Sequence, residues 1–253
     1  PLQTASLQGT GGNAPNPVSG VRIVLTGAGG TFTVTTTANG TYDLSGVPTG
    51  TNTVEVYGDD VYDSAGNPIP DKIALRLAGV LVQAGVASIN GRPIFLPERA
   101  AGTEVPSATG TTGTIAAGTL LQNQGAGIAL SFDVATQATF RSADDTTLTI
   151  TPIPVDQIPV PLPAGLTAAS VFSIEPAGAT FDVPPGLSLP NDASLPTGIE
   201  GVSLQRLSLE TGAWTAFGSG AVSADGTRIV AEANGGPPQT GLIAVAVQPF
   251  CST

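Results

Sequence analysis

The chain has 253 residues, enough for one large or two modest domains that each bury a core. Its 19 Asp and Glu against 8 Lys and Arg give a formal charge of −11, a sign that disfavours nucleic-acid partners and is repelled by anionic lipid headgroups. Histidine is absent and cysteine occurs once, at Cys251, which removes the usual general base, the Ser–His and Cys–His pairs, the commonest zinc ligand and any disulfide within the chain.

High Gly (33) and Pro (22) with 41% hydrophobic residues suit many short strands joined by tight turns around a packed core. Only 11% of residues are charged, so Thr, Ser, Asn and Gln must cover the surface, a composition suited to an extracellular wall or to extensive subunit contacts. The sequence opens Pro1-Leu2-Gln3 and contains no Met. That pattern leads us to expect processing, such as signal-peptide removal, although an arbitrary boundary would read the same. No apolar run reaches the ~18 residues of a membrane span. The nearest, residues 78–87, is broken by Gln83 and two glycines.

In chain order, strands are expected at residues 4–9, 21–26, 31–36, 41–44 and 53–56. Asn39-Gly40 between alternating segments is a strong hairpin signal, because both residues tolerate positive φ. Residues 73–77 alternate, with Ala74 and Arg76 on the face opposite Ile73, Leu75 and Leu77. Residues 80–89 read as a strand pair or a short helix, and Gly79 and Gly85 favour strands. Residues 100–118, rich in Gly, Thr, Ala and Ser, read as a linker or exposed loop. Beyond it, strands are expected at 128–132, 138–141, 147–151, 171–175, 179–183, 201–208, 214–218, 228–232 and 241–247. Tight turns punctuate them at Thr211-Gly212, Ala224-Asp225-Gly226 and Gly235-Gly236. Residues 152–163 hold too many prolines for a central strand and should be extended or at an edge. The expectation is an all-β protein of two β-sandwich domains in tandem, residues 1–100 and 101–253.

Two stretches resemble known families. Pro17-Val18-Ser19-Gly20-Val21, then Thr37-Ala38-Asn39-Gly40-Thr41-Tyr42, then Val47-Pro48-Thr49-Gly50 resembles the carboxypeptidase regulatory-like domain. That resemblance implies a transthyretin-like sandwich appended to secreted and cell-surface proteins, without the peptidase's zinc ligands. Leu148 to Pro154, Pro161 to Gly165, Ile174 to Phe181, Leu189-Pro190-Asn191, Gly212-Ala213-Trp214 and Val222 to Gly226 resemble ZU5-like β-sandwich domains. These can follow regulatory-like modules in large bacterial surface proteins. What this resemblance implies is secretion and architecture, with no active site to carry over.

Candidate chemistry is sparse. Asp59, Asp60, Asp63 and Asp71 share one loop with Asn67, and hard oxygen ligands on a turning loop can bind calcium. Their spacing matches no EF-hand, and solvated loop carboxylates are the plainer reading. Asp144-Asp145 is explained by a turn. A glycosidase needs two carboxylates at a set separation across a cleft, and no acidic pair here has aromatic company. Trp214 reads as a core or edge plug. Tyr42, Tyr57 and Tyr62 form a possible sugar platform, with Tyr42 and Tyr57 better suited to packing. Gly27-Ala28-Gly29-Gly30 lacks the Lys and Ser/Thr of a phosphate loop and reads as a hairpin turn. Lys72, the only lysine, would support an isopeptide bond only if buried beside Asn or Asp and a catalytic acid. Asn39-Gly40-Thr41 fits a glycosylation sequon, and its turn role accounts for it.

The expectation that follows is a secreted, non-enzymatic structural protein of the cell surface or extracellular space. It would self-assemble into a fibre or stalk through strand edges or terminal strands. Residues 2–9 and 242–250 are the expected donors, through Leu2, Leu7, Leu242, Val245 and Phe250, with Cys251 able to link two subunits. The 152–163 ribbon is a second means of clasping a neighbour. A carbohydrate-binding or adhesion module is the rival. No nucleic acid, membrane insertion or cofactor is expected, calcium excepted.

Overall fold

The computed structural model describes residues 3–9, 16–44, 46–47, 49–82, 94–104, 111–142, 146–199, 202–231 and 234–248. These form two compact units: Pro1–Arg99 with Ser208–Ala213, and Ala100–Leu207 with Trp214–Thr253. The regular secondary structure of the described residues is all strand, apart from one 3-10 turn at Val155–Gln157.

The first unit holds β1 (Gln3–Gly9), β2 (Asn16–Pro17), β3 (Arg22–Gly27), β4 (Gly30–Thr35), β5 (Thr41–Leu44), β6 (Gly50–Tyr57), β7 (Leu75–Val82) and β8 (Ile94–Leu96). One sheet runs β4-β3-β6-β7, all antiparallel. In the other, β1 pairs antiparallel with β5 and β2 and parallel with β8. Period-two alternation selects the buried faces. Along β6, Asn52, Val54 and Val56 are buried while Glu55 and Tyr57 point outward. Val54 and Val56 sit opposite Leu25 and Ile23 of β3. Tyr42 and Leu44 are the buried residues of β5. After β6 the chain bends at Gly58, whose carbonyl accepts the Lys72 N–H at 2.7 Å. A Cβ at Gly58 would lie 2.6 Å from the Lys72 Cβ and carbonyl oxygen, so only glycine permits this approach.

The second unit holds β9 (Thr103–Glu104), β10 (Thr112–Ile115), β11 (Thr119–Asn123), β12 (Ile128–Phe132), β13 (Thr136–Thr139), β14 (Thr147–Ile153), β15 (Thr167–Glu175), β16 (Thr180–Phe181), β17 (Gly186–Pro190), β18 (Val202–Leu207), β19 (Trp214–Val222), β20 (Arg228–Ala231) and β21 (Gly241–Val247). Ten of these form one sheet in the order β11-β12-β17-β20-β19-β18-β21-β15-β14-β9; a smaller sheet runs β10-β13-β16. Ladder irregularities lie at Ala168/Ser170 and Leu204/Gln205, and such bulges bend strands and raise their twist. The wide sheet curls until it is nearly barrel-shaped. At the seam, Asn123 Nδ2 of β11 donates to the Ile150 carbonyl of β14 at 2.8 Å. Asn123 Oδ1 accepts the Ala126 N–H at 2.9 Å, closing its own turn.

Buried Leu130, Phe132, Phe172, Ile174, Leu187, Leu204 and Ile243 belong to one hydrophobic core, shared with Ile115, Phe140 and Phe181. Phe132 and Phe181 meet edge-to-face, with centroids 5.5 Å apart, an arrangement that aromatic quadrupoles favour. Every residue of β21 is buried, which explains its unbroken apolar run: a strand in the middle of a sheet with both faces covered needs no polar side.

The all-β expectation holds. The stretch expected to be a linker, residues 100–118, differs: it contains β9 and β10, and Ile115 reaches the core. Its Gly and Thr mimic linker composition because β10 alternates exposed Thr112 and Thr114 with buried Gly113 and Ile115. Pro152 and Ile153 end β14, paired with Phe172 and Val171 of β15. Opposite them β14 has only a short partner, β9, at Thr147 and Leu148, so the proline is tolerated near an edge. Of residues 80–89, 80–82 complete β7 and the rest lie outside the described residues, as do Asp144 and Asp145.

Leu130 is fully buried, so Leu130→Ala should cost about 3 kcal/mol, the transfer term plus an unrelaxed cavity. Urea unfolding measures it. A loss below about 1 kcal/mol would mean that this core does not hold the second unit together.

Candidate functional site

The acidic loop between β6 and β7 places its carboxylates on separate partners. Asp63 Oδ1 accepts the N–H groups of Ala65 (2.9 Å) and Asn67 (2.8 Å), and Oδ2 accepts Asn67 Nδ2 at 3.0 Å. These bonds hold the exposed carboxyl below the ordinary carboxylate range. Asp59 receives Arg99 Nη2 at 2.7 Å. Asp71 Oδ1 accepts the N–H of Asp60 at 3.3 Å, and Asp60 adopts φ +53°. Among the described residues, no three His, Cys, Asp or Glu side chains are grouped to hold a metal. Asp59, Asp60 and Asp63, the calcium candidates, are thus near in sequence and divided in partnership.

The three tyrosines are divided as well. Tyr42 is buried, and its hydroxyl has no hydrogen-bond partner among the described residues. Tyr57 lies under Arg22, whose guanidinium carbon is 3.8 Å from the ring centroid. The Tyr57 hydroxyl donates to Glu55 Oε2 at 3.2 Å, while Glu55 Oε1 pairs with Arg76. Tyr62 alone presents its ring, 40% exposed, with its backbone tied to Ser19 in both directions.

Trp214 is buried, and its Nε1 donates to the Val160 carbonyl at 3.0 Å. It is a plug that fastens the proline-rich ribbon to its own sheet. Next to the start of that ribbon an open, mainly apolar groove of about 400 Å³ is lined by Ile128, Pro152, Ile153, Val155, Val171 and Asp192.

Of the expected assembly residues, Leu242 and Val245 are buried in β21, which pairs with β15 on one side and β18 on the other. Neither edge of that strand is free. Leu7 lies in β1, in parallel register with Ile94 of β8. Leu2, Phe250 and Cys251 lie outside the described residues.

Sheet rims are where this molecule offers unpaired backbone, and most of them are guarded. β2 is two residues long and contains Pro17. β5 carries Asp43 at its centre. β7 carries Arg76, and its ladder with β6 is irregular at Asn52/Val54. The β11 rim meets β14 through Asn123. β4 is different. It is Gly30-Thr-Phe-Thr-Val-Thr35, six residues in unbroken register with β3, without charge, proline or bulge. No strand among the described residues pairs with its outer side. The sequence reading found this strand without singling out its edge. The signal was there, in alternating Thr over a stretch with no guarding residue.

Lys72 is 1% exposed and forms an isolated antiparallel bridge with Glu98. Burial pulls its pKa below the ordinary lysine value, and the Glu98 charge opposes that pull. Burial of Tyr42 pushes its phenol upward. Asp225, at the β19–β20 turn, is held down to about 2 by Ser223 Oγ, the Thr227 N–H and the Thr227 hydroxyl.

These groups define a pH–stability profile. Below pH 3.8 the unfolded Asp63 and Asp225 take up protons that the folded ones refuse, so stability should fall between about pH 4 and pH 2. Folded Lys72 gives up its proton before the unfolded one, at 10.5, so stability should rise through the alkaline range toward that value. Above pH 10 the unfolded Tyr42 ionises first and stability falls again. Urea midpoints across pH check this. Lys72→Met should flatten the alkaline rise, and a rise that survives the substitution refutes the assignment.

Compared with protein-family models, curated proteins and solved structures, the chain gave no match.

Proposed function

We propose that this chain is a non-enzymatic structural module that assembles with its own kind through an open sheet edge, as a subunit of an extracellular fibre or a cell-surface stalk. The β4 edge carries the reading. Natural sheets blunt their edges with charge, proline, bulges or brevity, because an unguarded edge is a template for another strand. A chain of charge −11 has ample means to guard an edge and leaves β4, longer than the likewise uncharged rim at β10, without a strand paired to its outer side among the described residues, although β5 lies beside it. The low charge density and Thr-rich composition agree with extracellular use. So does the resemblance of the two stretches to carboxypeptidase regulatory-like and ZU5-like modules, which we retain as part of the proposal together with a tandem-sandwich description of the two units. The polar side chains described above act as turn staples, ion pairs and seam bonds, and none requires a reaction to explain it.

The purified protein should form species above the monomer in sedimentation and in electron micrographs as its concentration is raised. A chain that stays monomeric throughout that range refutes the proposal.

Glycan binding is the second reading, favoured by one observation: the Tyr62 ring is exposed beside the Asp63–Asn67 turn, whose Asn67 is exposed as well. If that reading is right, polysaccharide pull-down retains the wild type and Tyr62→Ala loses most of the retention. Equal retention of both rejects Tyr62 as the contact.

A further inference from the structure

We infer that the partner of β4 is the β4 strand of a second copy, paired antiparallel about a twofold axis at Thr33. This rests on the assembly reading above and specifies its contact. The pattern Thr31-Phe32-Thr33-Val34-Thr35 is close to a palindrome. Antiparallel pairing centred on Thr33 sets Thr33 opposite its own copy, Thr31 opposite Thr35, and Phe32 opposite Val34. Thr–Thr and aromatic–β-branched pairs are among the favourable cross-strand combinations. Thr31, Thr33 and Thr35 are exposed and Phe32 and Val34 half-buried. The same pairing therefore joins two hydroxylated faces and, on the reverse, extends the apolar face of each sheet.

Charge selects this place on the surface. Two copies at −11 repel one another, and contact is cheapest where a strand carries no charge. Behind the seam, Thr33 pairs with Val24 and Thr31 with Thr26. The nearest charged residue in the next strand is Arg22, opposite Thr35, and its guanidinium is already seated on Tyr57. Neither copy of β4 brings a charged side chain of its own to the seam. Joined this way, the two β4-β3-β6-β7 sheets become one continuous eight-stranded sheet. The contact is isologous and closes after two copies, so a fibre would be built from such pairs through another surface.

The test uses the full chain in a Cys251→Ser background with single cysteines and a short thiol-to-thiol linker. Thr33→Cys should link to itself. Thr31→Cys alone should not, whereas Thr31→Cys mixed with Thr35→Cys should. Thr33→Lys, which opposes two ammonium groups at the axis, should abolish the pair in sedimentation while leaving the thermal midpoint unchanged at dilutions where the wild type is monomeric. Thr33→Val should keep it. Assemblies that persist in Thr33→Lys with no linking at Thr33→Cys overturn this pairing and leave the assembly reading intact. Self-linking by Thr31→Cys overturns the register. A wild type that is monomeric at every concentration defeats both readings.

Discussion

Each sheet ends in two rows of backbone donors and acceptors that nothing inside the sheet can satisfy, and the disposal of those rows organises this molecule. With few charges and many strands, the chain uses a different device at almost every rim. The most economical is Asn123. One side-chain amide closes a turn with its oxygen and reaches across the seam of the wide sheet with its nitrogen. Curling that sheet nearly into a barrel removes most of an edge problem that ten strands laid flat would have made severe.

Electrostatics plays a local part. The excess of carboxylates is not gathered into one field-focusing cleft among the described residues. Asp63 and Asp225 each tie down the turn that follows them, and Asp59 holds Arg99. On the outer face of the first unit, Arg22, Tyr57, Glu55 and Arg76 form a continuous chain across three strands. Such exposed or half-buried pairs contribute little individually. Their value lies in fixing which residues stand opposite one another, because a one-residue slip would turn the buried valines outward.

Much of the secondary structure was legible in the sequence, since alternation and turn chemistry are local. The strands at 41–44, 128–132 and 241–247 lie where the pattern places them. What sequence could not show was set by distant partners. Asp59 finds Arg99 forty positions on, and nothing in a cluster of aspartates foretells that an arginine will take one of them. The ten-strand order seats β18 beside β21 and β14 beside β15, an arrangement decided by core packing and not by any short window. Residues 112–115 were disguised, because a short strand of Thr and Gly with a single apolar anchor has the composition of a loop. Leu242 and Val245 were recognised as strand residues, but their strand's place between β15 and β18 is a tertiary fact.

That place has a bearing on how the polypeptide acquires its shape. Remove β21 and the backbone ladder of the wide sheet divides into two pieces, one running from β11 to β18 and the other made of β15, β14 and β9, which then meet at the Asn123 seam. All of these are written earlier in the chain, so on a ribosome both pieces emerge before the element that unites them. Until residues 241–247 arrive, their facing rims stand open to any extended segment nearby. Non-local pairing of this kind is slow to form, and the interval before it exposes the nascent chain to adventitious strands.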